Sequence, residues 1–360
     1  MKNLLSYVLL IGVTACSAAS QDLGNSDPRG TSGGPAPSPS DTVTPAPTST
    51  SPPASTTPPA PTTPPVTTPV LKWTSRAAMP TRRSRLGAVF APNGKLYAIG
   101  GSTDTGPSGI VEVYDPKLDS WSTASPMPTP RYGFATLLLP TGKIATIGGQ
   151  YNSNTGTDGV SATVEFYDPA ADSWSAGPSL PEGRYHGAGA VRTDGSILFG
   201  GGLNANTTSN RASVYALADG AASWTLSSPL TTPRGTLAMV AGADGTTYAI
   251  GGQDGQSNLL ATAEERGPSA SGFSTLPSMP SARRGHSAVR GTDGRIYVVG
   301  GGGTGAPVLV FDPKTRAWTT AAAPPTCYAY AGGAVAPDGT IYALGGETNM
   351  YINDVIALAK

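Results

Sequence analysis

One cassette with fixed internal spacing occurs six times between residues 73 and 346, and it constrains the fold more than any other feature of the chain. In each copy an aromatic residue is followed by a single glycine 21 positions later and by a Gly-Gly pair that begins 27 positions later. The aromatic residues are Trp73, Trp121, Trp174, Trp224, Phe273 and Trp318. The single glycines are Gly94, Gly142, Gly195, Gly245, Gly294 and Gly339. The Gly-Gly pairs begin at Gly100, Gly148, Gly201, Gly251, Gly300 and Gly345. Because the copies recur every 45 to 53 residues, the sequence predicts six repeats of one small structural unit.

Each copy has the pattern of antiparallel strands. Short apolar runs alternate with Gly, Pro, Asp and Asn, and no helical apolar period of useful length occurs in residues 71–360. The single glycine follows Asn or Asp in five copies, as in Asn93-Gly94, and such pairs tolerate the positive φ of a two-residue hairpin. Small residues in the middle of the preceding strand, such as Gly87 and Ala88, suit first strands that converge on a common axis. We therefore predict a hairpin of inner strands followed by two outer strands.

The repeat length and the Gly-Gly and Trp positions resemble those of kelch repeats, each of which forms one four-stranded blade of a β-propeller. The resemblance covers residues 71–360 and implies an all-β, six-bladed kelch-type β-propeller. Trp73 precedes the first inner strand, whereas residues 354–359 correspond to a third strand. We therefore expect the strand around Trp73 to complete the last blade and to protect its edge.

Residues 1–15 are typical of an export signal, with Lys2 followed by an apolar run at positions 4–13. Such a run is too short to span a bilayer about 30 Å thick. The following Val-Thr-Ala-Cys, which ends at Cys16, resembles the lipobox of bacterial lipoproteins. The resemblance implies lipidation of Cys16 and, with Ser17 next to it, an outer-membrane or cell-surface location. An ordinary signal peptide that contains Cys16 by chance is the alternative.

Residues 16–70 are predicted to form a lipidated Cys16 followed by a disordered tether. Between positions 35 and 69, 28 of 35 residues are Pro, Ser or Thr, so this segment cannot bury an apolar face. At ~3.1 Å per residue in an extended polyproline conformation, it would hold the repeated body up to roughly 100 Å from its anchor. The tether is then either a stalk through a surface layer or a passive linker.

The charge balance excludes one class of partner. Residues 1–70 hold two of the 23 basic and three of the 23 acidic residues, so the repeated body is nearly neutral. Nucleic-acid binding needs clustered Lys and Arg, and no such cluster is present. We therefore expect a monomer that has no nucleic-acid partner and contacts the membrane only through the lipid anchor.

The length of the repeat varies only between the Gly-Gly pair and the next aromatic residue. In a blade of alternating strands, the loop between strands two and three emerges on the same face as the segment that enters strand one. Variable loops on a rigid scaffold commonly carry binding sites. We therefore predict the binding site on this loop-rich face, at one mouth of the ring.

An arginine precedes the single glycine at one fixed spacing in five copies, as Arg83 precedes Gly94, and Tyr328 replaces it in the sixth copy. The arginines are Arg83, Arg131, Arg184, Arg234 and Arg283. Guanidinium groups bind planar carboxylates in a bidentate manner, which would suit a sugar acid. A residue present in nearly every repeat is better suited to binding loop carbonyls, and we favour that structural interpretation.

Residues that depart from the repeat are stronger candidates for ligand contacts. Together with three of the arginines they form the predicted ligand-binding set, namely Arg85, Arg131, Tyr132, Arg184, Tyr185, His186, Arg234, Arg284, His286, Tyr328 and Tyr330. For each of them, ordinary packing at the rim is the alternative.

No metal, cofactor or catalytic residue is predicted. His186 and His286 are the only histidines, and neither has Cys or carboxylate at a metal-ligand spacing. Two enzyme families with kelch-type blades are nevertheless comparable. Galactose-oxidase-like copper enzymes use Tyr, His and a Tyr–Cys pair, which Tyr185, His186, His286 and Cys327-Tyr328 resemble, although the two histidines differ in register and the flanking domains are missing. The six-bladed bacterial kelch family that isomerises sialic acid is the closer comparison, although its acid and base residues cannot be aligned and Glu182 is the only Glu at the first-strand rims.

The leading hypothesis is therefore an exported, membrane-anchored binding or scaffold module for a glycan or a protein. The alternative is an enzyme that acts on a small carbohydrate.

Overall fold

The computed structural model describes residues 71–152, 158–204 and 210–359. The predicted export signal and tether lie outside the described residues. The described part of the chain contains 28 strands, which we number along the chain, and no helix. It accordingly contains no helix with the length and apolar character needed to cross a membrane.

Six four-stranded antiparallel sheets form the blades of the propeller. The first strand of the described residues is β1 (Lys72–Ser75), and it belongs to blade six. Blade one consists of β2 (Gly87–Phe90), β3 (Leu96–Ile99), β6 (Val111–Asp115) and β7 (Ser120–Ala124), with a ribbon of β4 (Ser102–Thr103) and β5 (Gly106–Pro107). Blade two consists of β8 (Ala135–Leu138), β9 (Ile144–Ile147), β12 (Val164–Asp168) and β13 (Ser173–Ala176), with a ribbon of β10 (Gln150–Asn152) and β11 (Asp158–Val160). Blade three consists of β14 (Tyr185–Val191), β15 (Ile197–Leu203), β16 (Val214–Leu217) and β17 (Thr225–Ser227).

The other three blades repeat the same order of strands. Blade four consists of β18 (Ala238–Ala241), β19 (Thr247–Ile250), β20 (Ala263–Arg266) and β21 (Ser274–Thr275). Blade five consists of β22 (Ser287–Arg290), β23 (Ile296–Val299), β24 (Val308–Asp312) and β25 (Ala317–Ala321). Blade six consists of β26 (Gly332–Val335), β27 (Ile341–Leu344), β28 (Val355–Ala359) and β1. In blade six, β1 pairs with β28 and Trp73 lies opposite Leu358, so strands from both ends of the described body share one sheet.

The predicted hairpins and Gly-Gly pairs are confirmed, and both require left-handed backbone. The single glycines have φ between 76° and 89°, and the twelve glycines of the pairs have φ between 57° and 108°. The second glycine of each pair donates its N–H to a carbonyl in the next blade, as from Gly149 to Arg184 at 2.7 Å. A Cβ on Gly148 would lie 2.4 Å from that carbonyl oxygen. The pairs therefore allow neighbouring blades to approach closely.

The apolar core lies between the blades. One cluster joins Leu96 and Tyr114 of blade one to Tyr342 and Leu344 of blade six, and five further clusters repeat the arrangement around the ring. Each cassette tryptophan also donates its indole N–H to a backbone carbonyl of the preceding blade, as from Trp121 to Ala77 at 2.8 Å. The cassette thus encodes contacts between blades as well as turns within them.

Candidate functional site

The inner strands of the six blades surround a central channel that opens on the loop-rich face. As predicted, small residues such as Gly87, Ala88 and Gly332 line the middle of the channel. A cavity of about 170 Å³ lies there. A cavity of about 140 Å³ at the loop-rich end of the channel shares several lining residues with it. We call this end the mouth of the channel.

Six backbone hydrogen bonds close a ring around the mouth. They join the residues nine positions before the hairpin glycines, which all have φ between 53° and 64° and which we call the left-handed ring. Its members are Arg85, Gly133, His186, Thr236, Gly285 and Tyr330. Each donates its N–H to the carbonyl of the equivalent residue in the preceding blade, at 2.7 to 3.0 Å, and Arg85 closes the cycle onto Tyr330. This belt of hydrogen bonds fixes the backbone positions from which the side chains extend around one opening.

Four members of the left-handed ring are not glycine, although side chains rarely adopt this conformation. The two glycines make room for neighbouring rings. A Cβ on Gly133 would lie 2.6 Å from Cδ2 of His186, and a Cβ on Gly285 would lie 2.6 Å from Cε1 of Tyr330. Residues held in sparsely populated backbone conformations cluster at functional sites, so this ring is a candidate site.

Three aromatic rings and a guanidinium group meet over the mouth. The rings of His186 and Tyr330 come from blades three and six and stack with centroids 5.7 Å apart. Arg85 places its guanidinium carbon 4.4 Å from the centroid of the Tyr330 ring, and the ring centroids of Tyr185 and His186 are 4.9 Å apart. Aromatic faces beside a guanidinium fork can bind both the apolar face and the carboxylate of a ligand.

The electrostatics of the mouth are positive overall. Arg85 forms an ion pair with Glu347 at 2.9 Å, and Ser84 also donates to Glu347 at 2.9 Å. Arg284 instead donates to the uncharged amide oxygen of Gln253 at 2.6 Å. No ion pair joins Arg284 to an acidic residue in the described part of the chain.

His186 is uncharged at neutral pH. Burial, and then the charges of Arg85 and Arg284, lower the pKa of His186 to about 3. Its Nε2 is buried and has no hydrogen-bond partner among the described residues. The mouth therefore holds a neutral imidazole in the field of two guanidinium groups. We name Arg85, Tyr185, His186, Arg284 and Tyr330 the mouth cluster.

The arginines that recur in five copies of the cassette form a second, buried ring, which we call the arginine ring. All five have an exposed fraction of 0%. Each donates to the carbonyl of the first glycine of its own blade's Gly-Gly pair at 2.7 to 3.2 Å, as from Arg234 to Gly251 at 2.9 Å. Arg131, Arg184 and Arg234 of the predicted ligand-binding set thus bind the scaffold.

Carboxylates compensate four of these buried charges. Glu112, Glu165 and Glu264 extend from third strands, and Glu264 lies 2.6 Å from Arg234. Arg184 pairs with Glu182 instead. Arg283 has no acidic partner among the described residues and binds Pro307 O at 2.6 Å. Burial lowers the pKa of Arg283 to about 10.

The remaining members of the predicted set lie outside the mouth cluster. Tyr328 occupies the sixth position of the arginine ring and is buried, and burial raises its pKa. His286 lines the cavity at the mouth but is buried against blade four, where a Cβ on Gly251 would lie 2.8 Å from its Cε1. Burial lowers the pKa of His286 to about 3, and neither ring nitrogen has a hydrogen-bond partner in the described structure. Tyr132 is half-buried on the rim of blade two, where its backbone pairs with Gln150.

The polar residues that hold the mouth cluster in place were not predicted from the sequence. Glu347 and Gln253 both directly follow a Gly-Gly pair, and Ser84 precedes Arg85. The only signal for them was their place in the register, because Ser84 and Glu347 are single occurrences at their positions and glutamine occurs after only two of the Gly-Gly pairs, as Gln150 and Gln253. Among the described residues, no three His, Cys, Asp or Glu side chains group together as a metal site.

Comparisons with known proteins agree with this architecture. Residues 83–128 match the Kelch motif. A solved structure described as the structure of YjhT superposes with a TM-score of 0.66 and covers 78% of this chain and 96% of that one, at 15% sequence identity. No curated protein sequence matches the chain. At this identity the likeness extends to the fold alone.

Proposed function

Because the chain is a six-bladed kelch-type β-propeller, we propose that it is an exported, lipid-anchored binding module that recognises a glycan or a protein through the mouth cluster. The tether would hold the propeller away from the bilayer, with the loop-rich face free to meet a ligand. Recognition would take place at the bacterial cell envelope, at the outer membrane or the cell surface.

The asymmetry of the left-handed ring carries the proposal. Arg85, His186 and Tyr330 extend large side chains over one opening from strained left-handed backbone, whereas equivalent positions in blades two and five are glycine. A scaffold alone gains nothing from this asymmetry. An asymmetric ligand does, because Arg284 offers a charge that has no acidic partner in the described part of the chain, and Tyr185 offers an aromatic ring beside His186. A ligand with a carboxylate next to an apolar surface fits this arrangement.

A glycan array tests the proposal if it is probed with two variants, each of which lacks one arginine of the same blade. Arg284 lies at the mouth, and Arg290, in β22, lies at the far end of the channel and is exposed. We expect Arg284→Ala to weaken glycan binding about tenfold, since a hydrogen-bonded charge is lost, and Arg290→Ala to leave it unchanged. Equal loss in both variants, or full binding by Arg284→Ala, would contradict the mouth as the site. If no glycan binds, the same pair is tested against envelope proteins by photo-cross-linking from position 185.

The anchor has its own test. Intact mass spectrometry of the protein from bacterial membranes should find an N-terminus at Cys16 with added lipid, and Cys16→Ser should release the propeller from the membrane fraction. Membrane retention of Cys16→Ser would contradict lipidation as the anchor.

A second candidate function, an enzyme that epimerises a small carbohydrate, is favoured by His186 alone. Its neutral imidazole has a buried Nε2 that makes no hydrogen bond within the described structure, so it is free to exchange a proton with a ligand. If the mouth is catalytic, anomeric exchange of reducing sugars measured by NMR will be accelerated by the wild type. His186→Asn will abolish the acceleration, and Asn tolerates the left-handed backbone. No acceleration by the wild type across the sugars tested would leave binding as the function.

A further inference from the structure

Four side chains form a continuous row of contacts across the mouth. Glu347 accepts from Arg85, Arg85 lies on one face of the Tyr330 ring, and that ring stacks on His186. Tyr330 belongs to blade six and His186 to blade three, which lie on opposite sides of the channel. The row therefore spans the opening.

The position of the Tyr330 ring is set by a socket in the neighbouring blade. Gly285 leaves the space that the ring fills, since a Cβ there would lie within 2.6 to 3.0 Å of three ring atoms. Gly133 provides the same space for His186. Both rings lean towards the preceding blade, so they meet over the channel and do not point into solvent.

The contacts that hold the ring in place are partly exposed. The side chains of Arg85 and Glu347 are 21% and 17% exposed, so solvent reaches their ion pair and screens it in part. The contact between Arg85 and the half-buried Tyr330 ring is a single cation–π interaction. Movement of the Tyr330 ring would leave no buried charge without a partner. Movement of Arg83, Arg131 or Arg234 would, because each pairs with a buried carboxylate.

We propose that Tyr330 is a lid over the channel mouth, held shut by Arg85 and Glu347, and that a ligand reaches the buried Nε2 of His186 only after this lid swings away. The inference concerns the regulation of the same site as the proposed binding function and rests on it. Glu347 acts as the latch, because its carboxylate holds Arg85 against Tyr330. A ligand carboxylate that competes for Arg85 would release the lid.

Diethyl pyrocarbonate tests the lid without any ligand, because it modifies neutral imidazole and the chain has two histidines. The rate of modification at each histidine is followed by mass spectrometry of the full chain at neutral pH. His286, with both ring nitrogens buried, reports in the same molecule whether the fold is intact.

The variant of choice is Tyr330→Gly, because glycine already occupies two equivalent positions of the left-handed ring and leaves the belt intact. We expect it to raise the rate at His186 about tenfold, and Glu347→Gln to raise it about threefold, through a weakened latch. Tyr351→Ala is the matched control, since Tyr351 lies on the same face and contacts Ser102. It should leave the rate at His186 unchanged.

An unchanged rate at His186 in Tyr330→Gly, with His286 still protected, would overturn the lid. So would an equal rise in the Tyr351 control. If His286 becomes reactive in Tyr330→Gly, the substitution has disturbed the fold. The rate of modification at His186 in Glu347→Gln then tests the lid, because glutamine keeps the size of the side chain. The reagent is not a ligand of the site, so the lid can fail while the binding function stands, and the array can fail while the lid stands.

Discussion

The arginine ring and the left-handed ring lie two residues apart in the sequence and surround the same channel mouth, yet they differ in what is held constant. In the arginine ring the side chain is constant in five blades, fully buried and bound to the same glycine carbonyl. In the left-handed ring only the backbone is constant, and the side chains range from none at Gly133 to Tyr330. The repeat fixes side chains where they build the scaffold. Where it fixes only the backbone, the side chains are available for function.

The largest expected effect compares two members of the arginine ring. Arg234→Met leaves Glu264 buried without its partner, so we expect a loss of about 3–5 kcal/mol in the free energy of unfolding. Arg283→Met removes carbonyl hydrogen bonds but strands no carboxylate, and it should cost only about 1–2 kcal/mol. Urea denaturation measures both. Equal losses of unfolding free energy in the two variants would contradict the assignment of the larger loss to the unpaired carboxylate of Glu264.

The next prediction concerns pH and His286. The folded state holds His286 neutral with a pKa of about 3, whereas the unfolded chain takes up a proton near pH 6.5. Its contribution to stability is therefore complete above pH 6.5 and is lost as the pH falls from there towards 3. His286→Leu introduces the residue that blades one and four carry at this position, Leu86 and Leu237.

This substitution should reduce the stability lost between pH 7 and pH 5 by about 2 kcal/mol, because one neutral histidine is removed. His186 is unchanged in both proteins, so the difference isolates His286. An identical pH dependence in the two proteins would mean that His286 takes up its proton in the folded state.

The smallest effect tests the socket beneath Tyr330. Gly285→Ala should cost about 2 kcal/mol, since it combines a left-handed alanine with a steric conflict against the Tyr330 ring. In a Tyr330→Gly background the conflict is gone, and the cost should fall to about 1 kcal/mol. A double-mutant cycle in urea measures this coupling of about 1 kcal/mol. Strict additivity would show that the ring does not rest in the socket.

Much of the fold could be predicted because its determinants are local. Asp244-Gly245 requires a hairpin, and the Gly-Gly pairs require left-handed backbone whichever blade they lie in. Carbonyl binding, the favoured interpretation of the recurrent arginines, is also what the structure shows, although Arg131, Arg184 and Arg234 were at the same time included in the predicted ligand-binding set. These sequence signals can be recognised without knowing how neighbouring blades pack together.

The site was less predictable because it depends on contacts between distant repeats. His186 and Tyr330 lie in the third and sixth blades, far apart in the sequence, and they stack only because the ring closes. His286 differs by one position in register from His186, so its side chain is buried on the channel wall against blade four and is not part of the mouth cluster. Glu347 carries no repeat signal, because its role is to bind Arg85 of the neighbouring blade.

The most direct test of the distinction between scaffold and site uses two adjacent arginines, Arg283 and Arg284. Unfolding free energy and affinity for a ligand identified on the array are measured for Arg283→Met and Arg284→Met. We expect Arg283→Met to lower stability and to retain binding, and Arg284→Met to retain stability and to bind about tenfold more weakly. The opposite pattern, or a loss of both properties in both variants, would contradict the account.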